Sequence, residues 1–278
     1  MLQQIPASLL SSLTRFESLR TSLQHEQQRR IEQALIQAMI RVVPSTEVLF
    51  RFCPHLPTVK QLKFLSLPNR EAFFGGAAGG GKSDALLMAA LMYFDKPGYA
   101  ALLLRRTFQD LSLPEALIPR SHKWLAGKCH WDATRKQWTA PSGATLTFGH
   151  LDSAYAEYHY QSSAYQYIGF DEVTQFLQAI YLYLFTRLRR LEGSAIQPRM
   201  RSGANPDGLG FEWVKARFVK PGDPSRPFIA SNAHDNPYLD VEDYRESLAM
   251  LDPVTRARYE QGDWEVAANG GFFDPTWF

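Results

Sequence analysis

Residues 73–83 read Phe-Phe-Gly-Gly-Ala-Ala-Gly-Gly-Gly-Lys-Ser (FFGGAAGGGKS), placing five glycines between Gly75 and Gly81. Glycine weakens helices and strands, because it loses more backbone freedom on folding than any other residue. Such a cluster needs a use that offsets the loss. From Gly76 through Gly79, Gly80 and Gly81 to Lys82 and Ser83, the stretch fits G-x-x-x-x-G-K-[ST] at every fixed position. Phosphates must approach such a backbone closely, and a Cβ would block them. Successive N–H groups then point into one concavity, and the following helix turns its positive N-terminal end to the same anion. Gly76, Gly79, Gly80, Gly81, Lys82, Ser83 and Asp84 are therefore candidate nucleotide ligands. Lys82 would reach the β- and γ-phosphates, and the Ser83 hydroxyl would ligate Mg²⁺. A plain glycine-rich turn is the competing reading. Against it, an apolar strand candidate, Glu71–Phe74, precedes the loop and a helix candidate, Asp84–Phe94, follows it.

A phosphate loop needs a second carboxylate to complete its metal site. YQYIGFDE (165–172) supplies one, an apolar run ending in Asp171-Glu172. Asp171 would hold Mg²⁺, and Glu172 would polarise the attacking water. Alone, an Asp-Glu pair after a strand equally suits a helix N-terminus. Paired with the loop, it points to nucleotide hydrolysis. An Asp without the Glu would suit a kinase or a switch GTPase.

Apolar runs of strand length at Tyr99–Leu104, Tyr165–Phe170, Pro198–Ser202 and Phe228–Ser231 alternate with helical segments, one expected over Leu177–Leu191. Residues 137–148 read as a hairpin turning at Pro141-Ser142-Gly143. This alternation predicts an α/β fold with a mainly parallel sheet. Leucines and isoleucines recur near a 3.6 period over residues 8–43 and stop at Pro44. The expected organisation is an N-terminal helical extension (1–45), a core (46–232) and a C-terminal helical or linker subdomain (233–278).

The 278 residues carry a net charge of +2, which by itself selects no partner. The positive charge concentrates in residues 187–220, with Arg187, Arg189, Arg190, Arg199, Arg201, Lys215, Arg217 and Lys220. That stretch either faces a polyanion or pairs with the acidic residues of 235–265. No apolar run reaches bilayer-spanning length, so no membrane partner is expected. The N-terminus lacks the features of a signal peptide. Cys53 and Cys129 form no C-x-x-C pair and read as reduced thiols of a cytosolic protein.

Taken in order, these features resemble the ATPase domain of bacteriophage large terminase subunits, over about residues 50–275. PTVKQLKFL (57–65), the glycine loop, LLLRRTFQDL (102–111), YIGFDEVTQF (167–176), TRLRR (186–190), SGANPDG (202–208), WVKARFVKPG (213–222), AHDNPYL (233–239) and GDW (262–264) carry the resemblance. It implies a RecA-like P-loop core with helices on both faces of the sheet. It implies ATP and Mg²⁺ as cofactors and ATP-driven translocation of double-stranded DNA into a capsid. The implied partners are a portal protein, a small terminase subunit and sister copies in a ring, in the cytoplasm of an infected bacterial host. It assigns Gln61 to the adenine edge and Asn205 to sensing the γ-phosphate, although Asn-Pro also simply initiates turns. A trans-acting arginine is expected in such rings. Residues 151–170 contain no Lys or Arg, so Arg187, Arg189 and then Arg106 are the candidates. The resemblance also implies a nuclease domain following the motor half, with no nuclease activity in these residues. Two other readings stay open: a helicase or other nucleic-acid ATPase, distinguished by strand separation, and a nucleotide-gated interaction protein with little turnover.

Overall fold

A computed structural model of the chain describes residues 46–266 except 154, 191 and 221, together with Arg30, Gln33, Ala34, Ile36, Gln37 and Ile40. The chain divides into two units, Met1–Val42 and Val43–Phe278. The six described residues of the first unit are helical; the rest of the expected N-terminal helix lies outside the described residues. The second unit holds the sheet and the helices that cover it.

Among the described residues eight strands form one sheet: β1 (Glu71–Gly76), β2 (Ala100–Arg105), β3 (His130–Asp132), β4 (Gln137–Thr139), β5 (Thr145–His150), β6 (Tyr167–Asp171), β7 (Arg199–Ala204) and β8 (Phe228–Ser231). Their order is β3-β4-β5-β2-β6-β7-β1-β8. From β5 to β8 every neighbouring pair is parallel, and β3 and β4 add an antiparallel edge. The parallel strands read as nearly unbroken apolar runs because both faces of the sheet are covered. The mostly parallel α/β fold expected from the alternation is present.

On one face Phe73, Leu102, Leu104, Ile168, Phe170 and Met200 pack with Tyr181 and Leu184, and with Val214 and Phe218. The first pair comes from a helix at Gln178–Phe185 and the second from a helical segment over residues 211–219. On the other face Phe74 stacks on Phe64 of the helix Val59–Ser66, with ring centroids 5.2 Å apart. There the Tyr167 hydroxyl donates to the Leu86 carbonyl of the buried helix Lys82–Leu91 at 2.9 Å. We call these helices, in chain order, α1 (Thr46–Phe52), α2 (Val59–Ser66), α3 (Lys82–Leu91), α4 (Phe108–Ser112), α5 (Leu117–Leu125), α6 (Gln178–Phe185), α7 (Phe211–Val214, continuing as a π-turn to Val219), α8 (Val241–Leu248) and α9 (Pro253–Arg256, continuing as a π-turn to Gln261).

Three departures from the sequence expectations have physical causes. Helix α6 ends at Phe185 rather than Leu191, because residues 187–189 turn into a strand-like exchange with Tyr165. Tyr165 N–H donates to the Arg187 carbonyl at 3.0 Å, and Arg189 N–H to the Tyr165 carbonyl at 2.9 Å. Helix α5 is not expected from its sequence, a segment broken up by Pro114 and Pro119. Pro119 sits in the first turn, where its missing N–H has no helical partner to lose. The basic stretch is largely spent inside the fold. Arg201 is 1% exposed and donates to the carbonyls of Leu67, Asn69 and Met200. Lys215 pairs with Glu265 at 3.0 Å, and Arg217 forks onto both oxygens of Glu71, at 2.5 and 2.9 Å.

Candidate functional site

The glycine loop leaves the C-terminal end of β1 and runs into α3. Gly81 holds φ +75°, the left-handed region that glycine alone enters freely, and so turns the chain into the helix. The loop closes a cavity of about 640 Å³ whose walls include Gly79 to Asp84, Glu172 and Asn205. Lys82 is buried, and its Nζ donates back to the Ala77 carbonyl of the loop at 2.5 Å. Burial pulls the Lys82 ammonium below its usual range, against the Glu172 and Asp171 carboxylates.

Strand β6 brings Asp171 to the same edge. Because β7 stands between β6 and β1, the carboxylate strand is two places from the loop strand. Even so, the Ser83 hydroxyl donates to Asp171 Oδ1 at 3.0 Å. Glu172, one residue on, adopts φ +56° and ψ +57°, a left-handed conformation that costs a non-glycine residue about 1–3 kcal/mol. Burial and the adjacent Asp171 carboxylate push the Glu172 carboxyl up, while Lys82 and Arg105 pull it down. The intervening strand β7 ends next to Asn205, whose backbone N–H donates to Glu172 Oε2 at 3.4 Å. A cradle of N–H groups, a buried ammonium, a hydroxyl–carboxylate pair and a second carboxylate of raised affinity for protons thus meet at one end of the sheet. Such an arrangement binds polyanions and can accept a proton.

At its outer end the cavity is aromatic, with His55, Trp124 and Tyr238 in its wall. The His55 ring lies 4.8 Å from Tyr238 and 5.6 Å from Trp124, centroid to centroid. Asp84 joins this group to the helix, bonded to His55 Nε2 at 3.2 Å and to Arg120 Nη1 at 2.6 Å. Burial alone would lower the His55 imidazole; the Asp84 carboxylate, helped by the Leu56 carbonyl, outweighs it and holds the imidazole above its ordinary value.

The geometry resembles that of known proteins. No protein-family model and no curated protein matches the sequence, but solved structures match the fold. The large terminase of a thermophilic bacteriophage aligns with a TM-score of 0.62 at 18% identity, over 74% of this chain and 53% of that one. The HK97 bacteriophage large terminase aligns at 0.58 and 14%, over 79% and 54%. The large terminase ATPase domain of Thermus phage P74-26 aligns at 0.57 and 17%, over 81% and 99%. The chain has the fold of a large terminase ATPase domain. It spans about half the length of the first two of these terminases. The first has also been solved with ATP-γ-S and with ADP.

Within this terminase-like fold the candidate residues separate into groups. Gly76, Gly79, Gly80, Gly81, Lys82, Ser83, Asp84, Asp171, Glu172 and Asn205 converge on one end of the sheet. Gln61 lies behind the loop and is 1% exposed. Its Oε1 accepts from Thr58 N–H at 2.8 Å, and its Nε2 donates to the Gly81 carbonyl at 2.8 Å. The amide therefore caps α2 and pins the loop, and presents no edge to the cavity. Thr-x-x-Gln at 58–61 is a capping-box pattern, a signal readable in the sequence. Arg187 and Arg189 flank Leu188, which pairs with Tyr165, before the start of β6 and so at the opposite end of the strand from Asp171. Arg106 is turned away, donating to the Leu151 carbonyl. Its neighbour Arg105 is a site residue that the sequence does not single out. At the end of β2 it stands 3.4 Å from Asp171 Oδ2 and 3.8 Å from Glu172 Oε1. The pairing of β2 with β6, which makes this contact, cannot be read from the residues.

Proposed function

We propose that the chain is an ATP-hydrolysing motor domain that drives double-stranded DNA into a capsid. The observation that carries the reading is the contact between Ser83 and Asp171 at 3.0 Å, flanked by Lys82 and Glu172. The likeness to a terminase solved with ATP-γ-S and with ADP supports it.

In this reading the loop N–H groups cradle the β- and γ-phosphates, and Lys82 turns from the Ala77 carbonyl to meet them. Two oxygens at adjacent corners of an octahedral Mg²⁺ shell stand about 2.9 Å apart. The Ser83–Asp171 pair fits that spacing, so these two residues would hold the ion. When bound, Mg²⁺ would neutralise charge on the β- and γ-phosphates. Glu172 accepts a proton from water as the water oxygen bonds to the γ-phosphorus and the bond to the bridging oxygen breaks, giving ADP and inorganic phosphate. The nucleobase meets the aromatic end of the cavity, at His55 and Tyr238, rather than Gln61.

Arg187 and Arg189 lie too far along the sheet to serve their own site, so either would act only on a neighbouring copy. That supports a ring assembled on a portal, with a small terminase subunit as a further partner. The DNA would be gripped by its backbone, because packaging must tolerate any sequence. We assign no DNA cleavage to this chain.

The test is ATP hydrolysis per chain over a wide range of protein concentration, with Glu172→Gln as the blank. A rate that rises with concentration, and rises further with duplex DNA, is expected. No turnover above the blank under any of these conditions overturns the reading.

A further inference from the structure

Behind Glu172 lies a second, smaller cavity of about 240 Å³. Glu172 and Asn205 line both cavities, so these two side chains form the wall between them. The second cavity is walled as well by Arg105, Gln175, Asp207 and Tyr259. Three atoms of these side chains are buried without a hydrogen-bond partner: Arg105 Nε, Gln175 Oε1 and Asn205 Oδ1. Buried polar atoms are nearly always bonded, by protein or by ordered water. Three orphans on one small cavity ask for a common partner. One donor and two acceptors, beside the carboxylates of Glu172 and Asp207, are poor ligands for an anion but suit water, which both donates and accepts. Space is ample, since one water needs only about 10–15 Å³.

We propose that this cavity is the water store of the site, and that Gln175 and Asn205 are positioning residues that hold water against the rear of Glu172. The proposal rests on the ATPase reading above. A nucleotide in the loop fills the front cavity and blocks the open approach to Glu172. The rear cavity then remains as the supply, and its occupant is already bonded to the carboxylate that must take the proton. Gln175 is well placed for this task. Its backbone N–H donates to the Glu172 carbonyl at 2.9 Å, in the short 3₁₀ turn Val173–Gln175 that follows β6. Tyr259 fixes the rim: its hydroxyl donates to Asp207 Oδ2 at 2.9 Å, and its carbonyl accepts from Ala78 N–H of the loop at 2.8 Å.

Gln175→Met keeps the length of the side chain and removes its hydrogen bonding. Positioned proton transfer contributes about 10²- to 10⁴-fold to a rate, and losing one holder of the water is expected to cost about tenfold in kcat. ADP affinity and the ATP KM should stay within about twofold, and Gln175→Glu, which keeps an acceptor oxygen, should recover much of the rate. A kcat for Gln175→Met within twofold of the unaltered chain overturns the proposal, as does an equal loss in kcat and in ADP affinity. Should the variant not fold, a high-resolution crystal structure of the unaltered chain decides: waters bonded to Gln175 Oε1 and Asn205 Oδ1 are expected, and their absence from both overturns the proposal. A chain without Glu172-dependent turnover would fail the ATPase reading instead, and the crystallographic result would still judge the cavity.

Discussion

Glu172 is held by four influences of opposite effect: burial and Asp171 favour its protonated form, Lys82 and Arg105 its charged form. Replacing it with Gln removes the proton acceptor and keeps the shape. Turnover should fall about 10²- to 10⁴-fold, with ADP affinity nearly unchanged, as steady-state rates beside calorimetric titration would show. Arg105→Ala should also slow turnover, by about tenfold or more, since two buried carboxylates then face each other with less positive charge between them. The same assay checks it; a rate within twofold of the unaltered chain would make Arg105 a bystander. At this scale the sequence is informative where the chemistry is local. Lys82 and Ser83 follow the glycines directly, and Asp171 and Glu172 end an apolar run. Arg105 and Arg106 look alike in the sequence, because only the neighbour relation of two strands distinguishes them. The left-handed backbone of Glu172 has no sequence signature, since glutamate gives no hint of positive φ.

Two elements that pack on the loop make their own predictions. The π-turn after α9 ends at Gly262, with φ +69°, where a Cβ would come within 2.4 Å of Ala77 N. Gly262→Ala must therefore shift the loop or the turn. It should weaken nucleotide binding and lower stability together, by about 1–3 kcal/mol in the latter, read by titration and by thermal unfolding. On the other side, α3 is tied to the loop before α2 by His55 and Asp84. His55 binds its proton more tightly folded than unfolded, so its contribution is full below pH 6.5 and is lost as pH rises through the folded value. Asp84 is held below its ordinary 3.8 by His55 and Arg120 against burial, so its contribution is lost as pH falls below that value. The stability difference between the chain and His55→Gln, at most about 1 kcal/mol for a partly exposed pair, should shrink between about pH 6 and 8 in urea unfolding. The alternation of strands and helices is legible because buried parallel strands are apolar throughout. Helix α5 is not, since its prolines look like breakers until one of them falls in a first turn.

Across the whole molecule, the two ends of the sheet have different tasks. The strand ends that carry Asp171 and Asn205 hold the candidate site. The start of β1 holds Glu71, whose side chain is 6% exposed and meets Arg217 and the Tyr181 hydroxyl, the latter at 2.8 Å. Removing one partner of a buried ion pair costs about 3–5 kcal/mol. Glu71→Ala should therefore lower unfolding free energy by about that amount, while activity per folded molecule stays unchanged. Denaturant titration paired with an active-site count would separate the two. In the sequence Arg217 reads as part of a basic face, since nothing in residues 187–220 shows which cations turn inward. The sheet order is equally hidden, because apolar runs announce strands without naming their neighbours.

The seating of residues 257–264 under the loop has a mechanical side. Ala78 hangs from the Tyr259 carbonyl, Gly262 lies flush against Gly76 and Ala77, and Trp264 is wedged against Phe73 and stacked on Phe211. A pull on the chain beyond Trp264 is thus borne first by the floor of the loop, with no flexible spacer to absorb it. The joint works as a short, stiff lever: tension applied from outside would be felt as a change in the grip on phosphate, and a change in that grip would be felt outside as displacement.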